Sequence, residues 1–322
     1  MRYRTLGRTG LRVGELGFGA WGIGKDLWDR TDDRESIAAL KRALELGVDF
    51  FDTAYAYGGG HSENLIGFAL FETKRRATVA TKIPPKEWDG RPSISRAFPP
   101  DWIVRCTEAS LRNLGTETID LQQFHHWDDR WLEEPGWDRA WSAVERLKRD
   151  GKIRYWGASL ASRRPGSGLE LARSGLADAV QVEFNLFEQE PADELLGLCR
   201  RQGVGVIARS PLDRGGLGGR LTGRTRFGIG DSRRDYFARG RLAQTLRRGE
   251  AIRDILVPSQ AADLAAAAIK FCLSFPEVSV VIPGMRRRAH VEANARAADG
   301  RYLSASVLER LRAHAWRARA AP

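Results

Sequence analysis

The 322-residue chain has no apolar run approaching the roughly 18 residues of a membrane span, and no apolar segment behind its Met1-Arg-Tyr-Arg start. The pattern therefore predicts neither a transmembrane helix nor a secretory signal. Cysteine is scarce. Cys106, Cys199 and Cys272 are odd in number, far apart and free of any CxxC spacing. That excludes a disulfide framework and fits a reducing cytoplasm. Cys199 and Cys272 fall in apolar helical patterns and read as small buried hydrophobes. No HxxxH or carboxylate cluster at ligand spacing is present, so no metal site is predicted. Low-complexity linkers and short solenoid repeats are missing too. What is in excess is positive charge, 52 Lys+Arg against 41 Asp+Glu. The basic residues are spread along helices without an interleaved aromatic platform. They predict an Arg-rich surface able to attract an anionic small molecule, with no nucleic-acid partner and no membrane.

What recurs is a strand-like apolar run followed by a helical pattern, eight times. Gly14–Trp21 leads to a helix near Asp33–Leu46, with Ile37, Leu40 and Leu44 on one face, an Asp32/Glu35 capping-box start and a Gly47 stop. Val48–Thr53 leads to Ser62–Glu72, Thr78–Ile83 to Asp101–Leu114, and Ile119–Phe124 to Trp137–Asp150. Ile153–Ser159 leads to a short helix ending near Ser174, and Ala179–Phe184 to Pro191–Gln202. Val204–Arg209 leads, after the Gly- and Arg-rich insertion 213–257, to Ser259–Phe275. Val278–Ile282 leads to Arg288–Ala297. Strand alternating with helix predicts a parallel sheet, and eight units predict a closed (β/α)8 TIM barrel. Length alone, at about 150 residues per domain, suggests two domains, but a barrel runs to about 250 residues as one. We expect a single domain over 1–322, with a hairpin from Arg2–Leu6 and Arg12–Glu15 under the barrel and an extra helix over Ser304–Ala318.

Barrels of this kind place chemistry at the C-terminal ends of their strands. There the strands present Asp52, Lys82, His125, Ser159, Arg209 and Ser210, and the loop after strand two carries Tyr57. A phenol, with an ordinary pKa of about 10, is a poor acid at neutral pH. A nearby lysine ammonium stabilises the phenolate, and Asp52 would hold Lys82 charged and in place. Without Tyr57, Asp52 and Lys82 would read as a structural ion pair. So tuned, Tyr57 can give a proton to a carbonyl oxygen while His125 orients it. None of these groups supplies hydride, so a cofactor is required. Gly17-Phe-Gly-Ala-Trp-Gly22 lacks the helix and acidic residue of a dinucleotide loop and reads as a turn carrying Trp21 to the mouth. Trp21, Trp88 and His126 are expected to line the substrate pocket, beside loops near Trp127 and the insertion.

The segment Phe51-Asp-Thr-Ala-Tyr-Ala-Tyr57-Gly58 resembles the aldo-keto reductase signature. Ala80-Thr-Lys82-Ile83 is similar to that family's lysine strand, and Asp120-Leu-Gln-Gln-Phe-His125 to its histidine strand. Gly157-Ala-Ser159, Gln181-Val-Glu-Phe-Asn185, Ser210-Pro-Leu212 and Ile282-Pro-Gly284 with Asn294 resemble its cofactor segments, in order from Leu6 to about Ala298. The resemblance implies reduction of an aldehyde or ketone to an alcohol, or the reverse, with NADPH or less often NADH. Tyr57 would be the general acid/base, Lys82 its tuner, Asp52 the partner of Lys82, and His125 the carbonyl positioner. Ser159 and Gln181 would bond the carboxamide, and Ser210 and Leu212 would lie along the pyrophosphate. Leu160 and Arg209 depart from the family, which often has Asn and an aromatic residue there. Arg209 would stack on the nicotinamide through its guanidinium plane. Gly284, Arg286, His290 and Asn294 would hold the adenosine phosphate, and the basic cluster with Arg287 favours NADPH. The alternative is a catalytically idle cofactor-binding barrel acting as a regulatory or partner-binding subunit.

Overall fold

The computed structural model describes residues 1–25, 28, 31–161, 164 and 166–316. A hairpin of β1 (Tyr3–Thr5) and β2 (Arg12–Gly14) comes first, paired antiparallel with Tyr3 opposite Gly14. Eight parallel strands follow: β3 (Phe18–Gly19), β4 (Phe50–Asp52), β5 (Thr78–Ile83), β6 (Ile119–Phe124), β7 (Ile153–Ser159), β8 (Ala179–Glu183), β9 (Gly205–Arg209) and β10 (Val280–Ile282). Each pairs with its neighbour in the chain. Parallel bridges Leu16–Val281 and Gly19–Gly284 join the first strand to the last and close the barrel. The first strand is shorter than Gly14–Trp21, because the chain leaves the sheet into a 3-10 turn at Trp21–Ile23.

The helices wrap the barrel: α1 (Asp33–Glu45), α2 (His61–Thr73), α3 (Ile94–Ala97), α4 (Pro100–Leu114), α5 (Trp137–Arg149), α6 (Leu169–Ser174), α7 (Leu195–Gln202), α8 (Arg233–Tyr236), α9 (Arg241–Leu256), α10 (Leu264–Leu273), α11 (Arg288–Ala297) and α12 (Ala305–Arg312). Their apolar stripes explain the placement. α5, for instance, buries Trp137, Ala140, Ala143, Val144 and Leu147, one face of a 3.6-residue period. The expected capping box at α1 is half made. Asp32 Oδ1 accepts from the Glu35 amide at 2.9 Å, while the Glu35 carboxylate pairs with Arg287 at 3.1 Å.

Other helix starts shift towards their caps. The helix expected from Ser259 begins at Leu264, where the Asp263 side chain accepts from the Ala266 amide at 2.8 Å. The one expected from Pro191 begins at Leu195, after a 3-10 turn at Glu190–Ala192. The last helix ends at Arg312 rather than Ala318, and residues 317 and 318 lie outside the described residues. The insertion 213–257 is not a bare loop, since α8 and the 16-residue α9 lie within it. All three cysteines are free and buried, and no helix among the described residues is long and apolar enough to cross a membrane.

Two apolar layers result. Phe50, Ala80, Leu121, Ala179, Ile207 and Val280 fill the barrel interior, with Leu6 and Val13 of the hairpin packed against them from below. Gly7 permits that approach. Its φ is +51°, and a Cβ there would lie 2.2 Å from the Gly205 amide nitrogen.

Candidate active site

Side chains repeat every two residues on one face of a strand. Above the interior layer, this period sets Asp52 two residues beyond Phe50, Lys82 beyond Ala80, Gln181 beyond Ala179 and Arg209 beyond Ile207. His125 stands four beyond Leu121. One polar storey therefore rests on one apolar storey at the C-terminal mouth, and Tyr57 leans over it from the loop after β4.

Lys82 Nζ donates to Asp52 Oδ2 at 2.7 Å and to the Thr53 carbonyl at 2.7 Å, and it lies 3.4 Å from Tyr57 Oη. Lys82 has no exposure and Asp52 only 3 %. The His125 ring meets the Tyr57 ring edge-on at 5.5 Å, and Trp21 lies 6.4 Å from Tyr57. Gln181 donates from Nε2 to Asp52 Oδ1 at 2.6 Å. Both carboxylate oxygens of Asp52 are thus occupied, one by a cation and one by an amide.

The electrostatics follow from burial and these neighbours. Burial pushes the Tyr57 phenol up, Lys82 pulls it down, and Asp52 pushes it up again. The net position is above the ordinary tyrosine value. Lys82, with a smaller contribution from Arg209, acts in the expected direction, but desolvation outweighs both, so the phenol is held protonated. Burial also opposes the Lys82 charge, yet Asp52 and Tyr57 together raise its pKa. His125 is held well below the usual histidine range by burial, then by Lys82, His126 and Arg209. It is a neutral imidazole, able to donate one N–H. His126 is pushed down to about 4 by burial and Arg209, and its ring lies 4.4 Å from that of the half-exposed Trp88.

The rest of the mouth is more engaged than expected. Arg209 Nη2 donates to the Leu160 carbonyl at 3.1 Å, and Nη1 stands 3.6 Å from Glu183 across the β8–β9 register. Ser159 and Gln181 are register partners on β7 and β8. Ser210 has a left-handed φ of +55°, as do Asp213 and Arg214 at +45° and +53°. Such backbone is uncommon outside glycine and clusters at ligand sites. Leu212 is half-buried beside this turn. Trp127 does not line a pocket. It is 1 % exposed, with Trp131, Trp137 and Trp156 around it.

Beyond β10, Gly284 is exposed, Arg286 lies over Trp28 at 5.2 Å, and His290 Nε2 stands 3.4 Å from Arg220 Nη1. His290 is held below its ordinary value by burial, then by Arg220, Arg286 and Arg287. One helical turn on, Asn294 Nδ2 is buried with no hydrogen-bond partner among the described residues. Glu183, Arg220 and Glu63 were not anticipated. Glu183 was legible as a charged strand end. Arg220 lies in the insertion, and Glu63 on a helix, where no simple pattern marks it.

A closed barrel with a phenol, an ammonium, a carboxylate and an imidazole converging at its C-terminal mouth defines the class of (β/α)8 oxidoreductases that act on carbonyls and alcohols. The profile of the Aldo/keto reductase family matches residues 15–315, and the chain belongs to that family. It is 33% identical to a probable aldo-keto reductase of Glycine max over 217 residues, 67% of this chain and 60% of that protein. An uncharacterized oxidoreductase of Bacillus subtilis is 28% identical over 98% of this chain and 96% of its own. The glycerol dehydrogenase of Gluconobacter oxydans superposes with a TM-score of 0.80 at 27% identity, covering 97% of this chain and 94% of that one.

Proposed function

We propose that the protein is an NADP-dependent aldo-keto reductase of the cytoplasm that interconverts an aldehyde or ketone with its alcohol. Tyr57 acts as the general acid/base, and residues 1–322 form one domain. The observation that carries this reading is the Tyr57 hydroxyl 3.4 Å from an ammonium that is itself bonded to a buried carboxylate. That ammonium is wholly buried between the carboxylate, the Thr53 carbonyl and the phenol. It stabilises the charge left on the phenol when the proton moves.

The donor set fits a nicotinamide dinucleotide. The orphaned Asn294 amide, the Arg220–His290 pair, Arg286 and the N-terminus of α11 offer the kinds of donor that phosphate sites use. Those groups and Gly284 would hold the adenosine phosphate. Ser210, Leu212 and the left-handed turn would hold the pyrophosphate, and Trp21, Ser159, Gln181 and Arg209 the nicotinamide. Gln181 would need its oxygen for the carboxamide, because its N–H is given to Asp52. When bound, the cofactor supplies hydride to the carbonyl carbon, or accepts it from the alcohol.

The chain's own residues do the rest. His125 donates its N–H to the substrate oxygen, and Tyr57 delivers the proton to that same oxygen. Trp21, Trp88 and His126 wall the substrate. The insertion carries eleven arginines against five carboxylates and adds a positive field at the mouth that draws an anionic cofactor. NADPH is preferred over NADH because the basic cluster matches a 2′-phosphate.

The test is turnover of a panel of aldehydes and ketones with NADPH and with NADH, on wild type and Tyr57→Phe. The phenylalanine variant should lose about 10²–10⁴-fold in kcat while binding NADPH as wild type does, followed by protein fluorescence. Wild-type turnover in the variant refutes the mechanism. Tight NADPH binding without turnover of any carbonyl points instead to an idle regulatory barrel.

A further inference from the structure

We propose that Glu63 is a positioning residue for Tyr57 and Lys82, a buried carboxylate that fastens the loop bearing the phenol to the strand bearing the ammonium. The proposal rests on the reading of Tyr57 as the acid/base group. Glu63 is fully buried in the first turn of α2, six positions after Tyr57. That turn already grips the loop. The Ser62 amide donates to the Tyr57 carbonyl at 3.2 Å, and the His61 amide to the Gly58 carbonyl at 3.2 Å. Ser62 Oγ donates to the Ala20 carbonyl at 3.0 Å and accepts from Thr53 Oγ1 at 2.9 Å.

Glu63 extends the grip in the other direction. Its Oε1 accepts from Thr81 Oγ1 at 2.5 Å, and Thr81 is the residue before Lys82 on β5. Its Oε2 accepts from Asn113 Nδ2 of α4 at 2.9 Å. One side chain therefore ties α2, β5 and α4 together behind the reacting pair. Two glycines make room for it. A Cβ on Gly60, whose φ is +95°, would lie 2.1 Å from Asn113 Nδ2, and one on Gly67 would lie 2.5 Å from the Leu114 carbonyl oxygen.

Burying a carboxylate carries a desolvation cost, but its two acceptor oxygens satisfy the Thr81 hydroxyl and the Asn113 amide, which an apolar residue would leave unpaired in a dry interior. Its cost is spent where two reacting groups must be held to within a fraction of an ångström. Burial pushes the Glu63 carboxyl above its usual value, against the hydrogen bonds from Asn113 and Thr81 and the Lys82 charge from β5, and the other titratable group facing it is Cys106 from α4. The Cys106 thiol is driven up to about 12 by burial, with Glu63 adding to the shift.

The experiment uses the full chain with NADPH and a carbonyl that wild type reduces, comparing Glu63→Leu, Glu63→Gln and Thr81→Val. Misplacing the phenol by about 1 Å costs on the order of 10²-fold, so Glu63→Leu should lower kcat by roughly 10- to 100-fold. NADPH affinity should be unchanged. The alkaline limb of its kcat–pH profile should move to higher pH, because a looser Lys82 supports the phenolate less. Glu63→Gln keeps the shape and an acceptor for Thr81, and should recover most of both readouts. Thr81→Val removes the link while leaving the carboxylate, and should reproduce the leucine profile if the leucine variant does not fold. A wild-type kcat and limb in Glu63→Leu or Thr81→Val overturns the proposal. So does a loss of kcat without any shift of the limb, or a glutamine variant as impaired as leucine. If Tyr57→Phe is inactive while these variants match wild type, the positioning role alone has failed.

Discussion

Asp52→Asn isolates the worth of the buried pair under the phenol. The asparagine keeps the size of the side chain, one oxygen for Lys82 and, after a flip of the Gln181 amide, a bond to Gln181. What it removes is the counter-charge 2.7 Å from an ammonium with no exposure. A lone buried ammonium escapes its desolvation cost by losing its proton. The unfolded chain holds that proton with a pKa of about 10.4, so folding with neutral Lys82 costs about 1.4 kcal/mol for each unit that the pH lies below it. That sets a ceiling of about 4.6 kcal/mol at pH 7 and about 1.9 at pH 9. It falls within the roughly 3–5 kcal/mol found when one partner of a buried pair is removed. The sign is definite. The folded pKa is depressed in the variant, so the penalty is full at low pH and fades as pH rises towards 10.4. Urea unfolding of wild type and variant at pH 7, 8 and 9 measures it. Adding Lys82→Met to the variant should recover stability at pH 7 and abolish the slope. A destabilisation that is independent of pH, or a double variant weaker than the single one, refutes the account.

Two further outcomes test opposite ends of the barrel. A bound 2′-phosphate should raise the depressed His290 pKa, so NADPH binding should tighten as the pH falls through the ordinary histidine value of about 6.5, while NADH binding stays flat. His290→Leu should remove that slope and weaken NADPH by roughly 1.5–3 kcal/mol, read by fluorescence titration. At the bottom, Gly7→Ala puts a Cβ into the Gly205 backbone at a left-handed φ. It should cost about 1–3 kcal/mol in thermal unfolding, with kcat unchanged at a temperature where the variant is folded.

The barrel was legible because its information is periodic. α1 and α5 show their buried faces in the sequence, and β4 to β9 each carry a polar residue at or beside their C-terminal end after an apolar run. Asp52, Lys82 and His125 were found by that rule, and Glu183 obeys it equally. The helices within the insertion do not show in its sequence because Gly and Arg dominate it. The buried stripe of α9 is Thr245, Gly249, Ile252 and Leu256, which offers little hydrophobic contrast. Trp127 follows a strand, where residues often face the mouth, but here it turns into a tryptophan cluster. Glu63 left no trace, since its neighbours Thr81 and Asn113 come from elements 18 and 50 residues away.

The sequence also suggested that Lys82 brings the phenol pKa down, and the structure alters what the pair can do. Burial outweighs the ammonium, so Tyr57 stays protonated across the physiological range. Lys82 limits the rise rather than creating a phenolate. That asymmetry separates the two directions of reaction. Reduction needs the phenol, and its kcat/KM should be level from about pH 6 to pH 9. It should fall only as the pH passes the ordinary tyrosine value of about 10. Alcohol oxidation needs the phenolate, and should climb by up to tenfold per unit over the same interval. Neutral His125 adds no acid limb above pH 6, because its pKa lies well below the usual histidine range. Initial rates in both directions, with substrate well below KM, give the two profiles. A reduction limb that falls between pH 7 and 9 would mean that Lys82 wins over burial, and that Tyr57 rests as the base.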